Sequence, residues 1–135
     1  MSRAARCAWF FLLLPLAGCT KDEDYLEVFR EQRAAMKELT AILATVNDEK
    51  SMADAKVALK ERGEKFEATS RKANALPKPL PPEVLKRLED DRFIMERTMA
   101  GLLSEIARVR NLPGGEEFLN DFKSRSPGLM SAVKR

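Results

Sequence analysis

Met95 and Met99 stand four residues apart, and Glu89-Asp90-Asp91 is a run of three consecutive acidic residues. These are the two groupings whose residue types could hold a metal ion. Thioethers four apart on one helix face suit Cu(I). The same methionines also fall on apolar lines of heptad spacing, so they read as core, where a flexible thioether fills gaps. Three consecutive acidic side chains on a helix fan around its axis and do not converge on one ion. A calcium loop needs a different spacing and a glycine, so this run reads as a solvated face. Histidine is absent. That removes the commonest general base, the partner of a serine nucleophile and the usual zinc ligand in one step. Gly114-Gly115 follows an apolar run with no phosphate-cradling motif beside it, and reads as a helix stop. The two cysteines, Cys7 and Cys19, both lie near the start. The chain is therefore expected not to be an enzyme, and to need no metal and no cofactor.

The first 19 residues have an order of their own. Arg3 and Arg6 give a positive start, Cys7 to Ala17 are apolar apart from Pro15, and Leu16-Ala17-Gly18-Cys19 closes the stretch. These are the parts of a secretory signal. The apolar run of about 11 residues falls well short of the roughly 20 that a membrane-crossing helix needs. Leu16-Ala17-Gly18-Cys19 resembles the lipobox of bacterial lipoproteins. The resemblance covers residues 1 to 20. It implies cleavage before Cys19, a diacylglycerol thioether on its sulfur and an acyl group on its amine. Two or more acyl chains hold a protein to a bilayer stably, so the first implied partner is a membrane. Thr20, where an aspartate would retain such a protein in the inner membrane, implies the periplasmic face of the outer membrane in a Gram-negative cell.

On that reading, residues 1–18 are the signal peptide, 19–23 a lipidated start with a short spacer, and 24–135 a helical domain. Removing residues 1–18 takes away two of the 24 Lys and Arg and none of the 21 Asp and Glu, leaving 22 against 21. Charges so nearly balanced and so mixed give no reason to expect nucleic acid. With Cys7 removed and Cys19 acylated, no thiol and no disulfide remains. The domain must then fold by packing alone, for which about 115 residues suffice.

The elements follow from periodicity. Phe29, Met36 and Leu43 form one apolar line, and Tyr25, Leu39 and Val46 the other. The width of this stripe predicts a core-facing helix over 24–46. Asn47-Asp48 breaks it and can cap the next helix, with Ser51 and Asp54 as a second candidate start. Met52, Leu59, Phe66 and Ala73 then predict a helix over 50–75, with Gly63 as a cost of roughly 1 kcal/mol in its interior. Pro77-Lys78-Pro79-Leu80-Pro81-Pro82 reads as a stiff connector. Leu85, Met99 and Ile106, with Leu88, Met95, Leu102 and Val109, predict one long helix over 82–110. Phe118, Leu119 and Phe122 predict a short helix over 116–123. The fold class is all-α: an antiparallel hairpin, a long third helix packed on both of its arms as a three-helix bundle, and a short fourth segment closing one end. The Val46-Asn47-Asp48 turn before an alanine-rich helix, with Leu76-Pro77 after it, resembles small helical domains of bacterial lipoproteins. Those families have no assigned activity, so the likeness implies a fold and no chemistry.

Gln32, Thr69 and Arg92 interrupt the apolar lines. With Val46 opposite Met52, Gln32 comes level with Phe66. With Leu76 opposite Leu85, Thr69 comes level with Arg92. The three are therefore expected in one polar layer of the core, with Arg92 close to Gln32, Thr69, Glu31 or Glu89. The alternatives for Arg92 are snorkelling to water at the rim and a site for an anionic ligand. The expected function is a membrane-tethered structural or interaction module of the cell envelope. Its helix faces would meet an envelope protein or the cell wall. The second expectation is a small-ligand carrier with an apolar pocket between helices.

Overall fold

A computed structural model describes residues 21–128. Residues 1–20, which hold the expected signal peptide and Cys19, and residues 129–135 lie outside the described residues. The described part is all-helical: α1 (Asp22–Ala44), α2 (Glu49–Ala75), α3 (Pro82–Asp90), α4 (Arg92–Arg110) and α5 (Gly115–Arg125).

Each helix begins where the local chemistry favours it. Asp22, Glu23 and Asp24 occupy the first turn of α1, where carboxylates meet the positive end of the helix dipole. Asp48, not Ser51, caps α2. Its Oδ1 accepts from the Ser51 N–H at 2.8 Å, and the Ser51 hydroxyl accepts from the Asp48 N–H at 2.9 Å. Pro82 opens α3 at the first helical position, where its missing N–H costs nothing. Gly114, at φ +73°, supplies the left-handed residue that turns α4 into α5.

The Ser51 N–H, then the Ser51 hydroxyl and the Lys50 N–H, hold the Asp48 carboxyl below its ordinary value. A lowered folded-state pKa contributes stability above the unfolded-state value and loses it as pH falls through the folded one. Asp48→Asn keeps an acceptor and removes the charge. The gap in melting temperature between wild type and Asp48→Asn should be widest near neutral pH and close as pH falls below the ordinary carboxylate range. A gap independent of pH would contradict this account of the cap.

α1 and α2 are antiparallel neighbours. Gln32 Nε2 donates to Ser70 Oγ at 3.3 Å, Lys65 Nζ reaches Glu38 at 3.1 Å, and Lys72 Nζ reaches Glu31 at 3.0 Å. Gln32 therefore lies about one turn from its expected level with Phe66. α4 runs parallel to α1, as the Arg33–Asp91 pair at one end and the Arg108 contacts with Leu43 and Val46 at the other require. The expected packing of a third helix on both arms of the hairpin is not what the contacts give. α1 packs on α2 and α4, and α5 packs on α2 and α4, so α5 forms a fourth wall along half the length. The main core holds Met36, Leu39, Leu59, Phe66, Leu102 and Phe122 among others. A satellite cluster joins Tyr25, Leu26 and Val84 to Leu76, Leu80 and Leu88. The proline connector thus packs inward through Leu80.

The expected helix over 82–110 is interrupted at Asp91, although the Asp91 N–H still bonds the Arg87 carbonyl and the Met95 N–H bonds that of Asp91. Its inward face also departs from the heptad lines. A helix without supercoil drifts about 20° per heptad against a strict seven-residue repeat. The line Val109, Leu102, Met95, Leu88 straddles the core and stays in it. The line Ile106, Met99, Arg92, Leu85 begins buried and drifts out, until Arg92 is exposed and Leu85 is 50% exposed. Val84, on neither line, is fully buried instead.

Two side-chain arrangements tie the helices together. The α1 C-terminus has no basic residue in its own last turn. Arg108 of α4 supplies one: Nη1 donates to the Val46 carbonyl at 2.8 Å, Nη2 to the Leu43 carbonyl at 2.7 Å, and Nε to Glu105 at 2.8 Å. Arg108→Ala should cost about 1.5–3 kcal/mol, the range for charged hydrogen bonds. Arg108→Lys should recover little of it, because one ammonium cannot copy the planar fork. Urea titration of the two variants measures both.

Gly63 is buried where α5 crosses α2. A Cβ there would run into the Ser126 hydroxyl and touch the Phe122 ring edge at 3.4 Å. Glycine to alanine in a helix interior ordinarily gains about 1 kcal/mol. Here the substitution should destabilise by about 1–3 kcal/mol through overpacking, and Ser126→Ala in the same chain should recover part of the loss. A more stable Gly63→Ala protein would mean that α5 does not approach this closely.

Candidate functional site

The break at Asp91 opens a cleft of about 460 Å³ between α1 and the α3–α4 junction. Leu26, Phe29, Leu88 and Met95 form its apolar floor, and Arg30, Arg33, Arg87 and Arg92 stand around it with Asp90 and Asp91. Three helices contribute: α1 residues three and four apart turn one face to the cleft, while α3 and α4 present their facing ends.

The arginines are held by carboxylates. Glu23 meets Arg87 at 3.3 Å and Arg30 at 3.6 Å; Arg33 meets Asp91 at 3.4 Å; Arg92 meets Glu96 at 3.1 Å. The Arg33 side chain is the least exposed of the four, at 22%. Most of these pairs are open to water, where an ion pair contributes about 1 kcal/mol or less. The cleft is therefore charge-balanced and apolar at its base. It can accept an apolar group with a polar end. No carboxylate in it is set against an acid or base partner for proton transfer.

The expected polar layer forms only in part. Thr69 is 4% exposed and donates to the Phe66 carbonyl at 2.9 Å. Gln32, half-buried on the facing helix, donates to Ser70, the next residue along. Arg92 does not join them. Its side chain is 73% exposed and pairs with Glu96, four residues along its own helix, not with Glu31 or Glu89. Met95 and Met99 both pack against the main core, and Met95 also reaches the cleft floor. Among the described residues no group of three His, Cys, Asp or Glu could hold a metal ion. Sequence reasoning missed the Arg33–Asp91 pair and the cleft itself. The available signal was the low helix propensity of two adjacent aspartates inside an otherwise apolar-periodic stretch.

Compared with protein-family models, curated proteins and solved structures, the chain matches none of them.

Proposed function

We propose that the chain is a non-catalytic module of the bacterial cell envelope, tethered by a lipid on Cys19 and acting through its helix surfaces. The observation that carries the reading is the lipobox-like Leu16-Ala17-Gly18-Cys19 placed three residues before Asp22, where α1 begins. So short a spacer would hold the helical body against the membrane. Exposed apolar side chains on α3 and α4 support the second half of the reading: Leu85, Phe93, Ile94 and Leu103. Contiguous apolar patches mark surfaces that a partner covers, and Phe93 and Ile94 are neighbours on α4. Among the described residues no helix is long and apolar enough to cross a membrane.

The test is fractionation of cells that make the full chain. The protein should sediment with membranes, stay there in high salt and be released by detergent. Release by salt alone would mean an electrostatic attachment and would count against the tether.

The cleft favours a second reading, a carrier of a small apolar molecule, because its floor is apolar and its volume is in the range of ligand sites. A saturable signal from an environment-sensitive fluorescent fatty acid, abolished by Phe29→Asp, would support the carrier. No saturation would remove it.

A further inference from the structure

The outward side of α4 carries two heptad-spaced lines that no other helix covers; only Arg97 of α4 itself lies over part of it, 5.6 Å from the centre of the Phe93 ring. Phe93, Ala100 and Ala107 form one, and Glu96, Leu103 and Arg110 form the other; all six are exposed. Phe93 is 66% exposed and Leu103 37%. The stripe is ordered along its length. Its N-terminal end is aromatic and acidic, its C-terminal end small and basic.

We propose that this face of α4 pairs antiparallel with the same face of a second copy of the chain. A two-fold axis near the middle of α4 sets each line of one copy against the other line of its partner. Leu103 then packs on the small Ala100 across the axis. Phe93 comes beside Arg110, a second cation at a ring that already holds Arg97 of its own helix, with Glu96 next to both. Glu96 lies over Ala107, within one turn of the same arginine. Every contact occurs twice, as a two-fold interface requires. A parallel pair would instead oppose Glu96 to Glu96, Arg110 to Arg110 and Phe93 to Phe93. Size and charge therefore both select the antiparallel arrangement. Because α1 runs parallel to α4, the two chains' N-termini leave at opposite ends of the pair. A doubly tethered dimer would then lie along the membrane surface.

The inference deepens the interaction-module reading by naming its partner, and its test is independent of the lipid. The full chain is purified in detergent from whichever cell fraction holds it, and its mass is followed by sedimentation over a range of concentrations. A reversible dimer is expected. Glu96→Arg alone and Arg110→Glu alone should each weaken it about tenfold or more, since each reversal alters two symmetric contacts. The double reversal should restore most of the affinity. Both residues are exposed, and a melting curve for each variant confirms that it stays folded. A monomer at every concentration reached, or a dimer indifferent to both reversals, overturns the proposal and leaves the membrane tether standing.

Discussion

Phe66→Ala should cost the fold about 3–5 kcal/mol, the range for removing a fully buried aromatic side chain. Phe66 is 1% exposed and belongs to the cluster where α1, α2, α4 and α5 meet. Truncation would leave a cavity that several helices border, and a helix cannot collapse locally without shifting its other contacts. A domain of this size has roughly 5–15 kcal/mol of stability in all, so the variant should unfold at much lower urea than the wild type and accumulate poorly in cells. The neighbouring Thr69→Val offers a contrast, because it removes one hydroxyl hydrogen bond and keeps the volume. Its effect should be a small fraction of the Phe66→Ala loss. A Phe66→Ala cost below 1 kcal/mol would mean that α5 and α4 do not close over this residue.

Much of this core is legible in the sequence, and the reason is local. Met36, Leu39, Met52, Leu59 and Leu102 repeat at helical spacing, and periodicity depends on neighbours along the chain. The α2 cap reads in part: Asn47-Asp48 marks the break and the capping residue, but Ser51 reads with Asp54 as a rival start, whereas it closes the cap of Asp48. What the sequence does not reveal is relative placement. Arg92 lies on a heptad line, yet the line is straight only in a supercoil, and α4 has drifted out of phase by that point. Gly63 reads as a flaw in α2 until α5 is seen crossing over it at Ser126. Phe118, Leu119 and Phe122 announce a short helix but not that it walls the bundle between α2 and α4. The cleft is the extreme case. Arg33 and Asp91 are 58 positions apart, and nothing in either neighbourhood points to the other.

The second large effect concerns Cys19. Cys19→Ala should leave the precursor uncut and the protein mislocalised, because in bacterial lipoproteins acylation of the cysteine precedes cleavage. The change should be nearly complete, unlike the graded losses expected in the core. Without the lipid, attachment would fall to whatever exposed side chains provide, and the near balance of charge gives little attraction to an anionic bilayer. The folded body should be unaffected, so the melting curve of the Cys19→Ala helical domain should overlay that of the native protein. A shift of several degrees would show that the first residues also pack on the bundle.

Growth of cells with a fatty-acid probe tests the central claim most directly. The native chain should carry the label and run at the size expected after loss of residues 1–18, while Cys19→Ala should carry none and run larger. An unlabelled native protein, or a label that survives Cys19→Ala, would contradict the claim that a lipid on Cys19 ties this helical module to the membrane.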